Sequence, residues 1–159
     1  MTMKKKVLSA AVVAAMGVGS AHAVNISQTG TGEGMIIPYY TVRDGNDSLF
    51  SIVNTTDDFK VVKVRFHEAM NSREVLDFNL YMSPYDVWTG AVKDDGNGGA
   101  KLTTNDLSCT VPAIPAGGEP FRDWAYTGNA AQFPNADTAT AEFLTRDRTK
   151  EGYLTVMEM

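Results

Sequence analysis

Residues that could act as nucleophiles or metal ligands are few in this 159-residue chain, which has one cysteine and two histidines. A catalytic thiolate at Cys109 would need a base, and His67 is the only histidine outside the predicted signal peptide described below. No motif connects the two. His67 and Glu68 form the pair H-E, but Asn71 stands where a zincin helix needs its second histidine. The sequence therefore predicts no catalytic residue, no cofactor and no metal site.

Carboxylates are plentiful in turns, notably in the segments DGND (44–47) and DDGN (94–97). Hard cations such as Ca²⁺ bind turn carboxylates and carbonyls, so both segments are conceivable calcium loops. Their spacing matches no EF-hand pattern, and Asp and Asn also bond their own backbone in turns. We expect turn chemistry at both.

Aromatic side chains are the remaining candidates for binding, because they offer a large contact area at low entropic cost. Trp124 and Tyr126 lie in a stretch rich in glycine and proline, and Trp88 lies in a strand-like segment. We predict these three as ligand-binding aromatics, for a cell-wall or surface polysaccharide. The alternative is that they fill a β core.

Cys109 is an odd cysteine in a chain that we expect to be exported, where thiols tend to be oxidised. Three states are open: a free buried thiol, a disulfide with a cysteine beyond residue 159, or a disulfide with a second chain. The residue is too far from the leader for lipid attachment at the cleavage site.

The amino terminus has the pattern of a secretory signal peptide. Three lysines (residues 4–6) precede an apolar run (7–18), and Ala-His-Ala follows at 21–23. The apolar run is too short to span a bilayer, which takes roughly 20 residues. We expect cleavage after Ala23, a flexible leader at 24–33, a folded domain at 34–159, and a mature chain in the periplasm, at the cell surface or outside the cell, with no transmembrane segment.

The charge balance disfavours nucleic acid and anionic membranes as partners. The chain has 14 basic and 19 acidic side chains, and cleavage removes the three lysines of the signal peptide, which makes the mature chain more acidic still. Binding to phosphates needs clustered Lys and Arg, and the basic residues here are mostly isolated.

Period-two alternation dominates the rest of the sequence. Residues 62–67 and 74–82 each place apolar side chains on one face and polar ones on the other, which predicts an antiparallel hairpin. Pro38, inside the run MIIPYYTV, confines that strand to a sheet edge or a bulge. The fold class predicted is all-β, an antiparallel β-sandwich of Ig-like or jelly-roll-like type.

The second half of the chain is less regular. Between Gly90 and Pro134, 11 of 45 residues are Gly or Pro, which predicts a long surface loop. Residues 136–147 could form one short helix, and 152–159 reads as a strand. Because nothing polar follows that strand, we expect the sandwich to be incomplete and the chain to be the front portion of a longer protein.

Four segments carry a resemblance: MIIPYYTVRDG, SLFSIVNTTD, KVVKVRFHEAMNSREVLDFNLYMSPYDVWTG and EGYLTVMEM. Together they resemble an uncharacterised family of exported Gram-negative bacterial proteins, described only as cell-surface or hypothetical proteins. The resemblance implies members longer than this chain and no defined activity. The function expected is a non-enzymatic structural or interaction protein at the cell surface or in the periplasm, which self-associates through edge strands. A carbohydrate- or cell-wall-binding module and a fragment of a secreted hydrolase are the alternatives.

Overall fold

Alternating apolar and polar residues build an antiparallel sandwich in the part of the chain that the computed structural model describes, which comprises residue 27, residues 29–123 and residues 145–159. The predicted signal peptide, four of the ten predicted leader residues (24–26 and 28) and most of the helix expected at 136–147 lie outside these residues. The strands belong to one compact unit, Gly32–Met159. They are β1 (Gly34–Thr41), β2 (Ser48–Val53), β3 (Lys60–Glu68), β4 (Glu74–Met82), β5 (Val87–Asp94), β6 (Ala100–Thr103), β7 (Thr110–Val111), β8 (Glu119–Pro120) and β9 (Glu151–Glu158).

The strands form two sheets in which every neighbouring pair is antiparallel. The first sheet has the order β1-β9-β3-β4-β7, and the second has the order β2-β5-β6-β8. The all-β prediction is confirmed. Pro38 lies where the register between β1 and β9 is interrupted, and β1 is an edge strand as its proline predicts.

The β3–β4 hairpin confirms the alternation seen in the sequence. Val64 pairs with Phe78, and both side chains are buried. Lys63 pairs with Asn79 on the other face, where both side chains are partly exposed. Since opposite residues of an antiparallel ladder share a face, the two apolar faces add to one layer of the core.

Aromatic rings join the two sheets across the core. Phe50 of β2 contacts Phe66 of β3, with ring centroids 5.6 Å apart, and Trp88 of β5 contacts Phe78 of β4 at 5.5 Å. Both contacts run from one sheet to the other, so the sheets face each other as the layers of a sandwich. Trp88 lies over Gly90, where an added Cβ would come within 2.8 Å of the indole ring.

The start of the Gly- and Pro-rich stretch corrects the sequence prediction. It is a β5–β6 hairpin in which Val92 pairs with Leu102, and both side chains are buried, as is Phe121 further on. The hairpin forms because the Asp95 carboxylate accepts the N–H groups of its own turn. The predicted surface loop is therefore shorter than expected.

The strand predicted at 152–159 is β9, which lies between β1 and β3. A Cβ on Gly152 would come within 1.9 Å of the His67 carbonyl oxygen, so this close approach of backbones requires glycine. Helical structure in the described ranges is limited to two short 3-10 segments, Arg43–Gly45 and Arg146–Lys150. None of these described helices is long and apolar enough to cross a membrane.

Candidate functional site

The two ends of the sandwich differ in chemistry, and one of them is rich in ion pairs. There the end of β1, the start of β9 and the segment before β9 come together. The Arg43 guanidinium lies 2.8 Å from the Asp147 carboxylate and 2.9 Å from that of Glu151. We call this the charged end.

A buried carboxylate fastens the charged end. Glu68 is 0% exposed, and its oxygens accept the N–H groups of Met70, Asn71 and Arg73 at 2.8–3.1 Å. The Arg148 guanidinium lies 3.1 Å from the same carboxylate. Since a buried charge is tolerated only when it is paired and hydrogen-bonded, the contacts of Glu68 are those of a structural anchor.

The two acidic turns also lie at the charged end, and the carboxylates of Asp47, Asp94 and Asp95 contact other groups of the protein. Asp94 accepts the Gly96 N–H at 2.7 Å and lies 3.2 Å from the Lys150 ammonium; these contacts lower the pKa of Asp94. Asn46 donates its side-chain amide to the Arg43 carbonyl at 2.8 Å. Among the residues that the structure describes, no group of three or more His, Cys, Asp or Glu side chains is placed to hold a metal ion.

The opposite end of the sandwich contains three loops, which join β2 to β3 (54–59), β4 to β5 (83–86) and β6 to β7 (104–109), beside the start of β1 and the end of β9. We call it the loop end. Asn54 ties the first two loops together. Its buried side-chain amide donates to the Asp58 carbonyl at 2.7 Å and to the Ser83 carbonyl at 2.8 Å, and its backbone N–H donates to the Asp86 carbonyl at 2.9 Å.

The third loop is held by its own side chains. The Thr104 hydroxyl donates to the Thr89 carbonyl of β5 at 2.6 Å, and the Asp106 carboxylate accepts the Ser108 N–H at 2.9 Å and the Ser108 hydroxyl at 2.6 Å. Burial raises the pKa of Asp106, but these hydrogen bonds outweigh it and the pKa is lowered. The carboxylate is therefore ionised at neutral pH.

Each of the three loops presents one large apolar or aromatic side chain to solvent. Phe59 is 78% exposed, Tyr85 is 67% exposed and Leu107 is 99% exposed. We call these three side chains the loop-end tips. Isolated exposed apolar residues are ordinary on protein surfaces, but three on loops that share one end of a sandwich, two of them fixed by Asn54, form a common feature.

Acidic residues border the loop-end tips. The three loops contain four aspartates and no lysine or arginine. Lys60, the first residue of β3, is paired with Glu158 at 2.5 Å. The loop end therefore combines apolar projections with negative charge at Asp57, Asp58, Asp86 and Asp106.

The residues predicted as ligand-binding aromatics do not form this site. Trp88 is fully buried and presents no ring face to a ligand, because the alternation of β5 directs it into the core. Trp124 and Tyr126 lie outside the described residues, so a polysaccharide site that uses them stays a prediction. Sequence reasoning missed Phe59, Tyr85 and Leu107 as a group, although each is a lone apolar residue in a polar turn: TTDDF, SPYD and NDLS.

The candidate residues for thiol chemistry are far apart. Cys109 is the last residue of the third loop at the loop end, and its carbonyl accepts the Tyr81 N–H of β4. Tyr81 pairs with Val61 at the start of β3. His67 lies six residues further along β3, and its ring stacks on Tyr153. Cys109 is exposed, so the buried-thiol alternative is wrong.

Comparison with protein-family models, with curated proteins and with solved structures finds no match for this chain. The resemblance to exported Gram-negative cell-surface proteins stays a prediction from the sequence.

Proposed function

We propose that this chain is an exported, non-enzymatic interaction module of the cell surface or periplasm that docks onto a partner protein through its loop end. The observation that carries the proposal is the set of loop-end tips, three exposed apolar side chains on loops whose backbones are fixed by hydrogen bonds. Aromatic side chains on loops of a rigid β-sandwich are a common basis of protein recognition.

The backbone of Tyr85 adds support, since its φ is +57°. Left-handed backbone costs an L-residue about 1–2 kcal/mol, and the turn 83–86 would accept glycine or asparagine at that position more easily. Pro84 precedes Tyr85, whose N–H donates to the Thr56 carbonyl at 3.0 Å. The positive φ of Tyr85 carries a conformational cost, and such strained positions are found at functional sites. The cost is consistent with a side chain that contacts the proposed partner.

The charged residues around the loop-end tips indicate what kind of surface the partner has. The three loops that carry the tips contain four aspartates, and the neighbouring Lys60 is paired with Glu158, so the complementary surface is an apolar pocket bordered by Lys or Arg. An anionic membrane would repel the same carboxylates, which favours a basic protein surface as the occupant.

Site-specific photo-crosslinking tests the proposal in cells that export the chain. Benzoylphenylalanine replaces Phe59 in one variant and Tyr39 in the control. Tyr39 is an exposed tyrosine on β1 whose hydroxyl donates to Glu151 at the charged end. We expect a protein adduct from position 59 and none of that mass from position 39.

Two further measurements connect the adduct to the loop-end chemistry. The adduct is expected to fall about tenfold or more when Leu107→Ser removes a second apolar tip and when high salt screens the aspartates. The same adduct from both positions, or an adduct that Leu107→Ser does not change, would overturn the proposal. So would Phe59-dependent binding to phosphatidylcholine vesicles without any protein adduct.

A further inference from the structure

The edge of the second sheet formed by β2 is the least protected sheet edge in the described part of the chain. β1 carries Pro38 and a register break, and β7 and β8 have two residues each. β2 runs for six residues, SLFSIV, with neither proline nor a charged side chain, whereas proteins usually protect long edges with such residues. The self-association predicted through edge strands is therefore best supported at β2.

The hydrogen-bonding pattern shows which groups of β2 face the open side. The Asn54 N–H donates to the Asp86 carbonyl, one position beyond the Val53–Val87 pair. In an antiparallel ladder, alternate residues direct both backbone polar groups toward the same neighbour. Asn54 and the even-numbered residues before it therefore face β5, and the odd-numbered residues Leu49, Ser51 and Val53 face the open edge.

The side chains of the same residues are accessible. Leu49 and Val53 are exposed, and Ser51 is exposed between them. No backbone group within the described ranges bonds to these three residues from the open side. This edge thus offers unpaired donors and acceptors together with two apolar side chains.

We propose that two copies of this chain pair along β2 in antiparallel orientation, around a two-fold axis at Ser51. Leu49 then faces Val53 of the partner subunit, and Ser51 faces Ser51 of the partner subunit. Each of these pairs uses the open backbone groups, which gives on the order of six hydrogen bonds. The two second sheets become one continuous sheet of the dimer.

The sequence of β2 selects this register. Opposed residues must share a face, so odd-numbered residues pair with odd-numbered ones. A two-fold axis at Ser51 sets Leu49 against valine on the outer face and Phe50 against isoleucine on the inner face. An axis at Phe50 would instead set Leu49 against serine and Ser48 against isoleucine. Because β2 has no charged side chains, no like charges oppose each other in the pairing at Ser51.

Sedimentation equilibrium of the full chain and two lysine variants tests this dimer. Ser51→Lys sets two ammonium groups against each other at the axis. Thr89→Lys is the matched control, because Thr89 pairs with Ser51 on the same outer face but lies on an inner strand. We expect the parent chain and Thr89→Lys to reach twice the single-chain mass as concentration rises, and Ser51→Lys to dimerise at least about tenfold more weakly.

Amide hydrogen exchange on the parent chain provides a readout that needs no variant. Protection of the amides of Leu49, Ser51 and Val53 should rise with concentration, while that of Leu107 should not. A parent chain with a single mass at all concentrations, or a folded Ser51→Lys that associates as the parent does, would overturn the dimer. Either result would leave the loop-end proposal intact, because the two surfaces share no residue.

Discussion

Tyr85 is the residue at which conformation and exposure depart furthest from what its type favours. It is a bulky aromatic residue with positive φ, and most of its side chain is in solvent. Asp44 has nearly the same φ, +58°, but Asp adopts left-handed backbone more readily than Tyr. Substitutions at these two positions therefore distinguish the effect of positive φ on stability from the contribution of the Tyr85 side chain to binding.

Replacing Tyr85 by glycine should separate stability from binding. Glycine relieves the left-handed backbone but loses more entropy on folding, so we expect the free energy of unfolding to stay within about 1 kcal/mol of the parent. The adduct formed through position 59 should nevertheless be lost, because one of the three tips is gone. Urea unfolding and the crosslinking yield measure the two effects.

Asp44→Gly is the matched control for that substitution. It also places glycine at a left-handed position, but at the charged end, so the free energy of unfolding should again stay within about 1 kcal/mol of the parent while the adduct persists. An adduct that survives Tyr85→Gly, or one that is lost equally in Asp44→Gly, would contradict a contact role for Tyr85.

Residue type alone could not locate the exposed aromatics. Trp88 and Tyr85 are three residues apart in the sequence, yet Trp88 is buried and Tyr85 is exposed. The difference arises because Trp88 follows the inward alternation of β5, whereas Tyr85 precedes the strand, in a turn. The boundary of β5 decides their environments, and that boundary depends on its pairing with β2 and β6.

At the scale of elements, the hairpin with clean alternation was predictable and the hairpin closed by a glycine-rich turn was not. The β3–β4 hairpin follows from side chains that alternate over residues 62–67 of β3 and 76–82 of β4. The β5–β6 hairpin was not predicted, because its turn, DGNGG (95–99), has the composition of an irregular loop. The loop end could not be predicted, because its three loops are distant in sequence and come together only when the sheets form.

The β5–β6 turn predicts an acid-dependent contribution to stability. Burial raises the pKa of Asp95, but the N–H groups of Asn97 and Gly99 and the Arg146 guanidinium outweigh it, so the pKa is lowered. A carboxyl with a folded-state pKa below the unfolded value of about 3.9 stabilises the fold above that pH, and this stabilisation is lost as pH falls through the folded-state pKa. Asp95→Asn should cost about 1–3 kcal/mol at neutral pH, and the difference from the parent should shrink below about pH 4.

Urea unfolding at a series of pH values measures the effect. Asp57→Asn is the control, because Asp57 is an exposed loop residue, and it should change the free energy of unfolding by less than about 0.5 kcal/mol at neutral pH. A constant difference between Asp95→Asn and the parent across the acid range would refute the assignment.

At the scale of the whole molecule, the sandwich separates two kinds of chemistry. The charged end uses its ionic groups on one another, as in the contacts of Glu68 with Arg148 and of Arg43 with Asp147. The loop end exposes apolar tips together with the carboxylates of Asp57 and Asp58. The charged end thus stabilises the fold, and the loop end remains available to a partner.

Hydroxyl-radical footprinting of the chain, purified and in the cell envelope where we propose that it acts, tests this division most directly. In the purified chain, the side chains of Phe59, Tyr85 and Leu107 should be oxidised readily, as should Tyr39 on β1. In the envelope, we expect the three loop-end tips to be protected while Tyr39 keeps its reactivity. Equal oxidation of the tips in both samples would contradict a partner at the loop end.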